Sequence, residues 1–353
     1  MRQRHLYPPT LPSIEKRMTK DRLQEILCGY DQLKIAIIGD FCLDRYFEID
    51  PSRSETSIET GLEVFNVTNV RSQAGAAGTI LNNLVALSIP EIHVLGFCGA
   101  DAEGWLLRKA LTALKGVHTD YFLESDQRKT FTYSKPLICD PGKPPTELNR
   151  LDQKNWTPTP ELISSKICEG IENLSQTVDA LIVMDQVDIE ETGVITRQVL
   201  KHLGEIQQAF PNKLIIADSR RGLEYYPPLT FKMNADELGS WRGREKLEPD
   251  QIKTEAKFLS QQTGQRVFVS MADQGIVGAD PEGKLVHTKS LPIRSPIDIV
   301  GAGDSVTANL CAALAASATL EESLQISMKA ASCVIHQLGT TGTATREDLM
   351  HLA

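Results

Sequence analysis

The chain has 353 residues and carries 37 Lys and Arg against 46 Asp and Glu, a formal charge of −9. That balance excludes the basic footprint of a nucleic-acid-binding protein, and no apolar run approaches the roughly 20 residues of a membrane span. The seven cysteines (28, 42, 98, 139, 168, 311 and 333) include no C-x-x-C pair and read as reduced thiols of a cytoplasmic protein. Arg2 and Arg4 are followed by no apolar core, so no signal peptide is expected.

Residues 1–30 form a polar lead-in, in which Ile14, Met18, Leu23, Ile26 and Leu27 predict one weakly amphipathic helix without chemistry; a main domain follows over 31–353. Leu33–Ile38 is a nearly continuous apolar run, as expected of a strand buried on both faces. Similar runs stand at Ile92–Cys98, Ala180–Met184, Leu214–Ala217 and Val267–Val269. Helical patterns separate them at 79–88, 103–115, 160–174, 189–209 and 251–263. This alternation predicts an α/β domain with a mostly parallel sheet and helices on both faces. Asp40, Asp101, Asp185, Asp218 and Ser270 each fall just past an apolar run, at the sheet edge where ligands bind in open α/β folds. Residues 45–72 and 129–152 break the alternation and read as short strands around turns. They predict a small sheet projecting from the main domain, either a lid or a plain surface excursion.

Asp298-Ile299-Val300-Gly301-Ala302-Gly303-Asp304 precedes Val306, Leu310, Ala313 and Leu314 at helical spacing. A helix start presents unpaired N–H groups and the positive end of its dipole, which suits a phosphate or a developing anion. Asp304 stands where a carboxylate takes a proton from a substrate hydroxyl. A glycine-rich turn with an aspartate cap is the plainer alternative. Further on, Thr319-Leu320-Glu321-Glu322 forms a capping box ahead of an apolar helix face, and Gly339-Thr340-Thr341-Gly342 ends it.

D-x-x-G-A-G-D at the start of a helix resembles the signature of the ribokinase-type (PfkB) carbohydrate kinases, and the likeness runs over roughly 34–350. Among these kinases the heptose 7-phosphate kinases are most similar, through Gly39-Asp40 with Asp44-Arg45-Tyr46, Ser52-Arg53-Ser54, Arg150-Leu151-Asp152, Asn234-Ala235-Asp236-Glu237, Asp298–Asp304 and Leu338-Gly339-Thr340. The resemblance implies a ribokinase-like three-layer α/β/α fold with a small β-sheet lid, and ATP and Mg²⁺ as cofactors. It implies Asp304 as general base, with the backbone of Gly301, Ala302 and Gly303 on the transferring γ-phosphoryl. Asn234 and Glu237 match N-x-x-E, which acts on phosphates and on Mg²⁺ through water. Ser270 and Gly275 match the loop beside the nucleotide. Asp40 matches the aspartate that grips sugar hydroxyls, with Asp44, Gly75, Lys135 and Arg150 also on the acceptor side. The helix at 319–338 would wall the adenine. Any monovalent-cation (K⁺) site would lie near loops 298–300 and 339–342, and the lid strands would join a homodimer. Plainer roles stand beside these: Glu237 as a first-turn glutamate, Asn234 as a turn closer and Asp40 as a cap.

The departures lie on the sugar side. Where the family has Gly-Gly and then an asparagine, this chain reads Ala74-Gly75-Ala76-Ala77-Gly78-Thr79, which removes an amide donor and acceptor. Asp188 stands where the heptose kinases continue into a tyrosine and a lysine, which disfavours an anionic sugar phosphate there. Lys135, Arg150, Arg220 and Arg221 are the candidate phosphate cations, or solvated surface. No Walker A or protein-kinase motif is present. The sequence therefore points to a kinase acting on a sugar or sugar-phosphate hydroxyl. A nucleoside or vitamin-like alcohol kinase of the same fold, or a catalytically silent sugar or nucleotide sensor, are the alternatives.

Overall fold

The computed structural model describes residues 17–294, 296–339 and 341–352; Ile14 and Thr340 lie outside them. The central sheet runs, from one edge, Leu285–Thr288, Ile276–Ala279, Val267–Ser270, Thr230–Asn234, Leu214–Ser219, Ala180–Asp185, Lys34–Gly39, Glu91–Gly99 and Val117–His118, and Phe122–Ser125 also pairs with Glu91–Gly99. Pairing is parallel throughout except for the antiparallel turns of the first two strands. Every expected apolar run is a strand. Strand periodicity sends Ile35 and Ile37 into one core and Ala36 and Ile38 into the other. Helices Ala77–Ala86, Ala302–Ala315 and Leu320–Ile335 cover the first face, and Glu161–Ser175, Arg197–Ala209 and Pro249–Thr263 cover the second. The result is three layers.

The lead-in helix is Lys20–Gly29, capped by Thr19, and it buries Leu23, Ile26 and Leu27 in the first core. It is welded to the main domain, and Arg22 pairs with Glu322 at 2.8 Å. The pattern at 189–209 becomes helical only at Arg197, where Thr196 accepts the Val199 amide. Strand Thr230–Asn234 and helix Ala235–Trp241 were not among the expected elements.

The projecting sheet has five strands. Phe41–Ile49 lies between Val67–Ala76, antiparallel, and Thr132–Ile138, parallel; Thr146–Glu147 and Leu151–Gln153 pair with the last. A separate pair, Glu55–Thr56 with Glu63–Val64, closes the intervening loop. The first lid strand starts at Phe41, earlier than expected, because Phe41 and Leu43 are buried in the main core. Alternation puts Cys42, Asp44 and Tyr46 on the other side, with Gly75, Gln73, Tyr133 and Lys135 on neighbouring strands.

Candidate active site

Gly301 adopts φ +83°, a conformation that favours glycine, and turns the chain into helix Ala302–Ala315. A side chain at Gly301 would collide with Thr341 and crowd Thr79. The loops on either side are tied by Asp298, whose carboxylate accepts the amides of Val300 at 3.0 Å and Gly339 at 3.3 Å. The Ala302 amide donates to the Ile299 carbonyl at 3.2 Å, so it is engaged within the turn. The amides of Gly301, Gly303 and Asp304 have no acceptor among the described residues. Three donors at a helix start form a cradle for an anion, and the expected Ala302 donor is replaced by that of Asp304.

Asp304 sits in the first turn, partly buried. Burial, and then the Asp218 charge, pushes its carboxyl up to about 7, against the opposing pull of Lys232 and Arg220. A carboxylate poised there exchanges protons near neutral pH.

Beneath the turn lies a charge pair absent from the sequence expectations. Lys232 Nζ is 2.7 Å from Asp218 Oδ2, and Thr307 Oγ1 donates to the same oxygen at 2.8 Å. A Cβ added at Gly303 would meet Lys232 Nζ at 3.2 Å. Burial alone would lower the Lys232 ammonium; the Asp218 carboxylate outweighs it and raises it.

Asn234 and Glu237 form a capping box: the Asn234 amide donates to Glu237 Oε2 and the Glu237 amide to Asn234 Oδ1, each at 2.8 Å. Glu237 Oε1 has no hydrogen-bond partner among the described residues. Burial raises the Glu237 carboxyl. Ser270 sits across from Asn234 in strand register, and Gly275 adopts φ +95° with its α-carbon against the Thr288 backbone. Helix Leu320–Ile335 packs Leu320 and Leu324 against Gly278.

On the lid, Asp44 is buried and its Oδ1 lies 3.4 Å from Lys135 Nζ. Burial raises the Asp44 carboxyl, and Lys135 opposes the rise. A Cβ at Gly75 would stand 2.6 Å from Asp44 Oδ2, so glycine makes room for that carboxylate. Arg150 pairs with Asp152 at 2.6 Å and lies over the Tyr133 ring. Gln73 reaches the body, donating to Thr341 Oγ1 at 2.6 Å. This bond ties the polar face of the projecting sheet to Thr341, which lies against Gly301.

Asp40 stands apart from this group. It is fully buried, and it accepts the amides of Gln186 at 2.9 Å, Val187 at 3.2 Å and Val194 at 2.7 Å. Both oxygens are occupied by backbone, which corrects the expected sugar contact. Asp185 similarly holds Ser219, Arg221 and Tyr226, and Asp101 caps helix Ala102–Thr112 through the Gly104 amide. Asp188 needs a correction of another kind: Lys154 lies 2.9 Å away and neutralises it, so the expected repulsion of an anionic acceptor is offset. Ala76, within the segment that departs from the family pattern, adopts φ +54° and ψ −116°, strained for a residue with a Cβ.

Residues 33–346 match the pfkB family of carbohydrate kinases. The chain belongs to that family. It is 27% identical over 317 residues to the bifunctional protein HldE of Gluconobacter oxydans, covering 90% of this chain and 63% of that protein. The chain thus spans less than two thirds of the curated relatives' length. The ribokinase of Arabidopsis thaliana, complexed with ribose and ATP, aligns with a TM-score of 0.66 at 20% identity over 91% of this chain and 98% of that one. Phosphofructokinase-2 of Escherichia coli, in complex with substrates and products, aligns with a TM-score of 0.65 at 18% identity, covering 90% and 97%. These likenesses show the ribokinase-like fold. Among the described residues, no helix of this pfkB-family chain is long and apolar enough to cross a membrane.

Proposed function

We propose that the chain transfers the γ-phosphoryl group of ATP to a hydroxyl of a sugar or sugar phosphate, with Asp304 as general base. The observation that carries this is the place of Asp304, in the first turn of helix Ala302–Ala315 beside three amides that have no acceptor among the described residues.

Asp44, with Lys135 beside it, takes over the role expected of Asp40 and orients acceptor hydroxyls, while Gly75 leaves space and Arg150 frames Tyr133. Asp304 receives the proton of the attacking hydroxyl, and the Gly301, Gly303 and Asp304 amides face the oxygens that gain charge. Phosphoryl transfer asks mainly for such positioning and charge stabilisation. Asn234, Ser270 and Gly275 lie on the nucleotide side. Glu237 would hold a hard cation such as Mg²⁺ through its second carboxylate oxygen, and the cation would supply positive charge against the nucleotide phosphates. K⁺ beside the loops tied by Asp298, and a homodimer through the lid strands, complete the reading; K⁺ titration of the rate and light scattering test them.

The deciding experiment measures ADP release from MgATP across neutral sugars, sugar phosphates and nucleosides, with Asp304→Asn in parallel. A hit abolished in the variant is the expected result. ATP binding with no turnover on any acceptor would instead indicate a silent sensor.

A further inference from the structure

The cations around the cleft fall into two groups. Lys135, Arg150, Lys154, Arg221 and Lys232 are each matched to a carboxylate, at 3.4, 2.6, 2.9, 2.8 and 2.7 Å respectively. The guanidinium of Arg220 has no ion pair or hydrogen-bond partner among the described residues, and it is exposed to solvent. Its backbone is nevertheless fixed. It follows directly on strand Leu214–Ser219, its amide donates to the Asp185 carbonyl at 2.9 Å, and the next residue is locked through Arg221 to Asp185. The strand order places this strand end between the strands that end in Asp185 and in Asn234, two residues beyond the Asp218 that pairs with Lys232 under Gly303. The positive charge is felt by Asp304 and Glu237 on the phosphoryl side and by Cys42 at the lid root. A rigidly rooted, unpaired fork at the meeting point of both halves is suited to an anion that passes between them.

We propose that Arg220 grips the transferring phosphoryl group. This rests on the kinase reading above. In the transfer, the acceptor oxygen forms a bond to the γ-phosphorus as the bond from that phosphorus to the β,γ-bridging oxygen breaks. The acceptor proton goes to the Asp304 carboxylate, and the electron pair leaves with ADP. Charge on the equatorial oxygens is met by the helix-start amides on one side and by the two-pronged guanidinium on the other. Lys232 cannot serve in its place while its ammonium is held by Asp218.

The test compares nucleotide binding to the full chain by calorimetry, using Mg·ADP and the non-hydrolysable Mg·AMP-PNP, for wild type, Arg220→Ala and Arg220→Lys. Arg220→Ala is expected to bind Mg·ADP within about twofold of wild type and Mg·AMP-PNP about tenfold more weakly. Arg220→Lys, which keeps the charge and loses the fork, is expected to recover part of that loss. With an active acceptor, the alanine variant should lose about 10²-fold or more in kcat at unchanged acceptor KM. Equal binding of both nucleotides by wild type and Arg220→Ala would overturn the proposal, as would an effect confined to the KM of a phosphorylated acceptor. Failure of the wild type to bind either nucleotide would overturn the kinase reading itself, and the proposal with it.

Discussion

Lys232 and Asp218 face each other across adjacent parallel strands, 2.7 Å apart and both nearly inaccessible, under the turn that carries Gly303 and Asp304. A buried pair of this kind is sensitive to the loss of either member, because the survivor keeps its desolvation cost without its partner. Lys232→Met is therefore expected to destabilise the fold by about 3–5 kcal/mol in denaturant unfolding. Pairing it with Asp218→Asn should recover much of the loss. A near-neutral single variant would show that the pair contributes no net interaction.

Asp304 gives opposite signs for activity and stability. The carboxylate is the working form, so the acid limb of kcat/KM should have its midpoint near 7. Asp304→Asn should lower turnover by about 10²–10⁴-fold. The folded carboxyl holds its proton more tightly than the unfolded one. Raising the pH between the ordinary aspartate range and about 7 therefore removes stability. The asparagine variant escapes this loss, so its melting temperature should exceed that of wild type, by more at pH 8 than at pH 5. A variant that melts lower at both pH values would contradict the sign.

Asp40 and Asp44 are separated by four positions and by role. Asp40→Asn keeps one acceptor oxygen where three amides converge. The expected cost is about 1–3 kcal/mol of stability. Asp44→Asn leaves the Lys135 ammonium without its carboxylate, so it should also cost stability, but unlike Asp40→Asn it should raise the acceptor KM. Melting curves and acceptor titrations of the two variants separate these roles, and an exchange of the two phenotypes would restore Asp40 to the sugar site.

Ala76 holds a backbone conformation that a Cβ resists. Ala76→Gly relieves that strain and adds unfolded-state entropy, and the first effect is the larger. We expect a gain of about 1 kcal/mol in unfolding free energy, read by urea titration. A loss of stability would mean that the alanine methyl packs better than its φ suggests.

The order of strands and helices was legible because apolar runs and helical spacings alternate without ambiguity along most of the chain. Strand Thr230–Asn234 escaped because Lys232 interrupts its apolar run. A lysine in a buried strand is tolerated only with a carboxylate opposite, and that partner comes from Asp218 on another strand, beyond the reach of local patterning. The same limit explains the exchange between Asp40 and Asp44: both are aspartates near a strand end, and only the approach of the Gln186–Val194 loop distinguishes the backbone clamp from the carboxylate paired with Lys135. Asp188 likewise looked like an uncompensated charge because Lys154 lies 34 positions away in sequence. The Asp304 turn was readable because its glycines, its acid and its helix are contiguous.

The Asp40 clamp also determines how the flap can travel. Its carboxylate bolts the root of strand Phe41–Ile49 to the segment after Asp185, so the flap has a fulcrum at that point and no free hinge. Further out, the strands are held by Gln73, which latches onto Thr341. A leaf spring clamped at one end and latched at the other returns to the same place after each stroke, which on the proposed kinase reading would bring the acceptor hydroxyl to Asp304 in the same register each time.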